Sequence, residues 1–289
     1  MLLTTFMFVA VTGIVRYLGS DIPAVQAAFI RYLIGCFLVL PMLLPLLKVR
    51  PRRSTMGLYV VRGLVHGGAV MLWFYAMARI PIAEVTAIGY TTPLFVTLGA
   101  WLVFRERLHA RRIAAIFIGL LGALIILRPG FQAVQIGALA QLAAAPLFAC
   151  SFLIAKRLTI TETPGAIVGM LSIFCTLALL PGALVVWREP TLDEVLWLGL
   201  TAVFATAGHY TLTRAFKAAP LTVTQPITFL QLVWAALLGM LAFGEALDPY
   251  VFIGGGIIVA AATFISHREM RAARKAKKAQ MAAAANTVL

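Results

Sequence analysis

Ten long apolar segments, separated by short polar breaks, are the feature of this 289-residue sequence that most constrains its fold. Each segment has roughly the 20 residues that a helix needs to cross a hydrocarbon layer. Within lipid, only helices and closed barrels satisfy every backbone group, and barrel strands are shorter and alternate in polarity. Apolar residues make up 62% of the chain and charged residues 12%, against about 25% charged in soluble domains. The sequence therefore predicts an all-α membrane protein with ten transmembrane helices.

The boundaries of the spans follow from the polar breaks, which are rich in proline, glycine and charge. The predicted spans cover residues 2–18, 26–47, 57–78, 83–104, 111–128, 134–155, 164–187, 194–213, 221–243 and 249–266. The first span has no basic segment before it and no A-x-A cleavage site. We therefore expect it to be a membrane helix and not a cleaved signal peptide.

The distribution of Lys and Arg predicts the orientation in the cell membrane. If both termini lie on one side, 18 of the 24 basic residues fall in the connections and the tail on that side, and four fall on the other. The positive-inside rule then places both termini in the cytoplasm. The net charge of +14 is accordingly a sign of membrane topology and does not predict nucleic-acid binding. The basic tail, residues 268–289, is expected to lie at the cytoplasmic lipid headgroups.

The two halves of the chain match each other at an offset of 139 residues. Ala76 and Pro81 correspond to Ala215 and Pro220. Further matches are Phe104 with Phe243, Glu106 with Glu245, Leu108 with Leu247 and Thr12 with Ser151. Each half contains five spans, so the second half must insert in the opposite orientation to the first. We predict a first repeat over residues 1–130 and a second over residues 131–267.

The charges of two equivalent loops agree with inversion. The loop RERLHARR, after span four, is basic, whereas its counterpart GEALDPY, after span nine, has no Lys or Arg. Inverted insertion would place the first loop inside and the second outside. Inverted repeats place a substrate site near the middle of the bilayer, between the halves.

Several segments together resemble the drug/metabolite transporter superfamily in its EamA-type branch. They are AFIRYLIGCFLVLP, VRGLVHGGAVMLWFYAMARIPIAEVTAIGYTTPLFVTLGAWLVFRERL, IGLLGALIILRPG and AFKAAPLTVTQPITFLQLVWAALLGMLAFGEAL. The first repeat has an Arg-Gly pair at Arg62 and a Trp-x-Tyr pattern that starts at Trp73. In this pattern it resembles members of the family that carry S-adenosylmethionine or amino acids. The resemblance implies ten helices, a central cavity lined by spans 1, 3, 4, 6, 8 and 9, and coupling to an ion gradient or to none. Leu232 stands where the first repeat has Pro93, so strict symmetry is not expected.

Span nine carries polar residues at every third position, namely Gln225, Thr228 and Gln231, with Trp234 continuing the series. A stripe at this spacing faces the protein interior, because polar groups are costly in lipid. The stripe could line a pocket and bind a polar metabolite. It could equally join helices through buried amides.

Span three carries His66 and Trp73, which share a helical face because they are seven residues apart. His66 could bind substrate or shuttle protons, or it could pack as a neutral, hydrogen-bonded side chain. Trp73 could stack on a planar substrate or simply pack. The neighbouring Gly63 and Gly67 form a GxxxG pattern that favours close helix packing.

Spans four and eight add further candidates for substrate binding. Tyr90 and Thr91 precede Pro93, and a proline that frees a carbonyl within a membrane helix can form a gate or a pocket wall. On span eight, His209 and Tyr210 fall near the middle of the membrane and are candidates to line the cavity.

Two arginines, Arg31 and Arg62, lie well within predicted spans. Each could extend to the headgroups or bind a substrate carboxylate through paired hydrogen bonds. For Arg62 we expect the first. Glu106 and Glu245 lie at span ends, where we expect structural roles such as pairing with local arginines or capping the following helix.

No motif for catalysis, cofactor or metal binding appears: the sequence has no HExxH, GxSxG or P-loop, and its three cysteines show no CxxC spacing. We therefore expect no cofactor, no metal and no enzymatic activity, with an intramembrane enzyme or a channel as the less favoured classes. The favoured function is secondary transport of a small polar or amphipathic metabolite, such as an amino acid, by export. The alternative is import of S-adenosylmethionine or a nucleotide-like compound. Proton coupling is compatible with both.

Overall fold

A computed structural model describes most of the chain as helix. The described residues are 1–48, 52–104, 110–129, 135–218, 228, 230–265 and 267. Their helices are α1 Leu2–Leu18, α2 Ala24–Lys48, α3 Arg53–Met77, α4 Ile82–Gly89, α5 Thr92–Phe104, α6 Ala110–Leu127, α7 Ile136–Leu158, α8 Pro164–Val185, α9 Leu192–Ala218, α10 Leu230–Phe243 and α11 Pro249–Ile265. Within the described residues the predicted spans are therefore confirmed as helices, with span four divided into α4 and α5, whereas the first part of span nine, residues 221–227, lies outside them.

The helices have the lengths and surfaces of a membrane protein. Among the described residues, α2, α3, α7, α8 and α9 are long and apolar enough to cross a membrane, and α1, α6, α10 and α11 are shorter apolar helices. Large apolar side chains cover the outside of the bundle, among them Phe117, Leu121 and Leu241, which are 64%, 56% and 77% exposed. Soluble proteins rarely expose so much apolar surface to water. The fold is therefore that of an all-α, multi-span membrane protein.

Span four is interrupted between α4 and α5 because Pro93 has no N–H to donate to the carbonyl of Gly89. The chain compensates locally. The amides of Tyr90 and Thr91 donate to the carbonyls three residues earlier, at 3.2 and 3.0 Å, and the Thr91 hydroxyl donates to the Ile88 carbonyl at 2.8 Å. A broken helix near the middle of a membrane is tolerated where it lies against protein or a cavity.

Contacts between helix ends define two ends of the bundle. Residues 19–22, 79–81, 128, 188–191 and 244–248 form the Glu245 end, and residues 52, 156–163 and 214 form the Lys156 end. Arg16, in the last turn of α1, pairs with Glu245, so α1 runs toward the Glu245 end. Gly137, in the first turn of α7, packs against Arg79 and Ile80, so α7 starts at that end. The first helices of the two halves therefore run in opposite directions.

Helix packing follows an approximate two-fold pattern. In the two halves α1 is equivalent to α7, α2 to α8, α3 to α9 and α5 to α10. Helix α7 contacts α3 and α5, and in the same way α1 contacts the equivalent helices α9 and α10. Helices α2 and α8 contact each other. The fifth spans, α6 and α11, meet at Gly122 and Gly254. A Cβ atom on Gly122 would lie 2.7 Å from the Gly254 carbonyl oxygen, so the backbones touch where neither residue has a side chain.

Candidate substrate cavity

A cavity of about 260 Å³ lies between the two halves. Its walls come from α1, α3, α4, α5, α7, α9, α11 and the region of α10. The lining residues are Thr4, Thr5, Phe8, Thr12, His66, Val70, Trp73, Val85, Thr86, Gly89, Tyr90, Thr92, Pro93, Val96, Thr97, Gln141, Phe148, Phe152, His209, Leu212, Thr228, Gln231, Ala262 and Ile265. Thr4 lies in the first turn of α1 and Ile265 ends α11, so the cavity extends from the middle of the bundle toward the Lys156 end.

Aromatic rings form a connected wall of this cavity. His66 contacts Phe148 edge to face at 5.2 Å between ring centroids, and Trp73 contacts Phe148 at 6.0 Å. His209 lies 5.3 Å from His66 and 5.2 Å from Phe8. Flat apolar faces presented in this way suit a flat, ring-containing ligand.

Polar atoms on the wall are few and partly unpaired. Among the described residues, the Gln141 Oε1 and the His66 Nε2 atoms are buried without a hydrogen-bond partner. Gln231 and seven threonines add amide and hydroxyl groups, and no described lining residue is acidic. A few directional polar groups on an apolar wall are typical of sites that fix the orientation of a small molecule.

A network of buried hydrogen bonds holds the His66 ring through its Nδ1 atom. Its Nδ1 atom lies 2.9 Å from the Ser151 hydroxyl, which also accepts a weak hydrogen bond from Arg62 Nε at 3.4 Å. Arg62 further donates to the carbonyl of Ile167 at 3.0 Å. Because Nδ1 is occupied, the other ring nitrogen is the one left to face a ligand.

The structure brings six of the ten predicted binding residues onto the cavity wall. They are His66, Trp73, Tyr90, His209, Thr228 and Gln231. Tyr90 also donates a hydrogen bond from its hydroxyl to the Thr228 carbonyl at 3.0 Å, which joins the broken span four to span nine. Gln225 lies outside the described residues.

The other three predicted residues lie away from the wall. Thr91 is fully buried and bonds to its own helix, Tyr210 packs near Arg214, and Trp234 stacks on Phe6 of α1 at 4.9 Å. The reason is helical geometry, since neighbouring residues point about 100° apart. Steps of three residues each rotate by about 60°, so Trp234 points roughly 120° away from Thr228.

The expectation that Arg62 reaches the headgroups is wrong. Arg31 and Arg62 are each 3% exposed, and Arg62 uses its guanidinium to join α3 to α7 and α8. Glu245 has a structural role, as expected, but its partners are distant in sequence: it pairs with Arg16, and it accepts from the Ile82 amide, which caps α4 and not the helix that follows Glu245. Glu106 lies outside the described residues.

Sequence reasoning missed part of the wall. Gln141, Phe148 and Phe152 on α7, with Phe8 and Thr12 on α1, face the cavity. The available signal was Gln141, an amide within an apolar span. The phenylalanines give no such signal, because the sequence does not show whether an apolar side chain faces lipid or a cavity.

Ion pairs close the Glu245 end. Arg16 Nε and the Ile82 amide both donate to the Glu245 carboxylate at 2.9 Å, and Arg128 pairs with Asp248. These contacts tie α1, α4, α6 and the start of α11 together on the side away from the cavity. The bundle is thus closed at this end, and the cavity lies toward the other.

Known proteins match the chain along nearly its full length. It is 33% identical over 258 residues to a riboflavin transporter of Rhizobium johnstonii, covering 88% of this chain and 84% of the relative. It is 26% identical over 260 residues to an S-adenosylmethionine uptake transporter of Rickettsia bellii, covering 90% and 89%. A protein of known crystal structure shares the fold with a TM-score of 0.61 and 18% identity, covering 92% of this chain and 98% of that one. The model of the EamA-like transporter family matches residues 1–128 and again 135–267, so the chain belongs to that family.

Proposed function

We propose that this protein is a secondary carrier that moves a small, flat, ring-containing metabolite through the cavity by alternating access. The observation that carries the proposal is the connected aromatic wall around a 260 Å³ space between the halves. In this mechanism the repeats, residues 1–130 and 131–267, rock against each other around a fixed site. The contacts at the Glu245 end would break as those at the Lys156 end form.

The cavity wall favours a ring system over an aliphatic amino acid. No described lining residue is a carboxylate that could pair with an α-ammonium group, so an amino acid would have to bind mainly through a ring. Similarity to a riboflavin transporter agrees with a heterocyclic substrate, and riboflavin is the first compound to test. Transport of S-adenosylmethionine is the second candidate, supported by similarity to an uptake transporter, although its sulfonium would also lack an acidic partner on the described wall.

The Lys156 end is proposed to face the cytoplasm, as the positive-inside rule predicts, so this conformation would load or release substrate there. A carrier without coupling moves substrate down its gradient, and export is the expected direction for a compound made in the cell. If transport is proton-coupled, His66 and His209 are the groups on the wall that would exchange the proton.

Solute counterflow in proteoliposomes tests the proposal. Vesicles preloaded with an unlabelled compound would receive the same labelled compound outside, for riboflavin, tryptophan, threonine and S-adenosylmethionine in turn. We expect a transient labelled overshoot with riboflavin or tryptophan and none with threonine. An overshoot with threonine alone would refute the preference for rings, and no overshoot with any compound would count against transport.

Trp73 supplies an independent optical test of the site. Its indole lines the cavity, whereas Trp187 lies at the Glu245 end and is 45% exposed. A flavin bound in the cavity should quench tryptophan emission, and Trp73→Phe should remove a larger part of that quenching than Trp187→Phe. Equal loss in both variants would place the bound flavin elsewhere.

A further inference from the structure

A second, smaller cavity of about 10 Å³ lies beside the main one. It has room for about one water-sized group. Arg31, Tyr32, Ser172, Thr206 and His209 are among its lining residues. His209 also lines the main cavity, so one side chain separates the two spaces.

Arg31 is the unusual member of this set. It is 3% exposed, its guanidinium lies 4.0 Å above the Tyr32 ring, and its Nη1 atom is buried without a hydrogen-bond partner among the described residues. No described carboxylate lies within ion-pair distance of it. Buried charges in proteins are normally paired, because an unpaired charge loses its hydration without compensation.

The contrast with Arg62 shows that burial alone does not explain Arg31. Arg62 is equally buried, but it donates to the Ile167 carbonyl and to the Ser151 hydroxyl. Arg62 therefore has structural partners for its guanidinium, whereas Arg31 has an unpaired Nη1 atom and lines a space that holds about one oxygen atom.

The space also has a complementary polar rim. The hydroxyls of Ser172 and Thr206 converge near Gly35, where an added Cβ atom would lie 3.7 Å from each oxygen. The Tyr32 hydroxyl is also buried; it lies near Arg31 and Cys175 and makes no hydrogen bond within 3.5 Å among the described residues. The Ser172 hydroxyl already donates to the Val168 carbonyl of its own helix at 3.2 Å. The Arg31 guanidinium, with the hydroxyls of Thr206 and Tyr32, therefore supplies the donors for an oxygen that carries negative charge.

We propose that Arg31 forms an acid-binding subsite, in which one oxygen of the substrate's carboxylate lies against its guanidinium while the ring of the substrate occupies the main cavity. This inference rests on the proposed function, because it requires the ring to be bound in that cavity. A carboxylate reaches the subsite past His209, at the boundary of the two spaces. Among ring compounds, the subsite then favours those that carry a carboxylate, such as tryptophan, over neutral ones such as riboflavin.

Titration calorimetry with a matched pair of compounds tests the subsite. Indole-3-acetate and indole-3-acetamide share ring and shape, and they differ in charge at one end. We expect the purified protein to bind the acid at least tenfold more tightly, because hydrogen bonds to charged groups are about twice as strong as neutral ones. Arg31→Met should reduce that ratio to about one, and Arg31→Lys should retain part of it.

Two further variants separate the subsite from a general effect of buried charge. Arg62→Met removes an equally buried arginine that does not line the smaller cavity. Because Arg62 supports His66, this variant should weaken binding of acid and amide alike and leave their ratio unchanged, with the thermal unfolding midpoint reporting whether it folds. Gly35→Ala keeps the charge of Arg31, but its added methyl group narrows the smaller cavity. It should therefore lower the ratio of acid to amide affinity without removing any charge.

The outcomes distinguish the two proposals. Equal affinity for acid and amide in the unchanged protein would overturn the subsite and leave the ring-binding function standing. A ratio that falls equally in Arg31→Met and Arg62→Met would also overturn it, since the cause would then be the field of both charges. Binding of neither compound would count against the proposed function and, with it, the subsite. Replacing chloride by gluconate should not change the ratio, and a ratio that depends on chloride would assign the space to that ion.

Discussion

The contacts of Glu245 should hold the closed end of the bundle shut, and Glu245→Gln should weaken them by a predictable amount. The carboxylate is 10% exposed and accepts from Arg16 Nε and from the Ile82 amide, both at 2.9 Å. A hydrogen bond to a charged group contributes about 1.5–3 kcal/mol, against about 1 kcal/mol for a neutral one. Gln keeps one acceptor but loses the charge. Since Arg16 is 23% exposed, we take a loss of about 2 kcal/mol, or roughly 30-fold in the population of the open end.

Cysteine accessibility measures that population. Thr86 lines the cavity and is 7% exposed, so Thr86→Cys places a thiol inside it. The native cysteines are first replaced by serine; they are Cys36, Cys150 and Cys175. A membrane-impermeant maleimide added on the side of the Glu245 end should label this thiol slowly, and Glu245→Gln should raise the rate about 30-fold.

The matched control is Glu189→Gln, which removes an exposed carboxylate at the same end. It should leave the labelling rate unchanged. The reasoning fails if Glu245→Gln does not alter the rate, or if the control raises it by the same factor.

Two further predictions concern packing between the halves and use thermal unfolding in detergent. A Cβ atom on Gly63 would lie about 3.0 Å from Phe174 Cα on α8, so Gly63→Ala should cost about 1–3 kcal/mol, whereas Gly57→Ala on the same helix meets open space and should cost nothing. Equal effects would contradict close packing of α3 on α8. Ser151→Ala should cost about 1–3 kcal/mol because it removes the partner of the His66 ring, and Ser172→Ala, which breaks a bond within one helix, should cost less. If both serines prove equally dispensable, the network does not hold the imidazole.

The spans could be predicted from the sequence because lipid imposes a rule that acts on each segment alone. A helix must be long and apolar whatever its neighbours are, so the predicted boundaries differ from the observed ones by a few residues in most helices. The break in span four carried its own local signal in Pro93. Even the opposite directions of the halves follow from counting an odd number of spans.

The cavity could be predicted only in part, because whether a side chain points into it depends on neighbouring residues that are far away in the sequence. His66 was identified, but Ser151, which orients it, lies on the other half of the chain. Arg62 was expected at the headgroups because its acceptor, the Ile167 carbonyl, belongs to α8. Trp234 was expected on the wall because a three-residue spacing was treated as one face, although it drifts around the helix.

The most direct test of the account measures substrate transport by a variant in which a large side chain fills the cavity. Thr97 lines the cavity and is 6% exposed, whereas Ile118 is 50% exposed on the outside of α6. Thr97→Trp should abolish riboflavin or tryptophan counterflow in proteoliposomes, while Ile118→Trp should transport at the unchanged rate, with both variants showing a normal unfolding transition. Undiminished counterflow in Thr97→Trp would mean that the substrate does not pass between the halves, and would contradict the account.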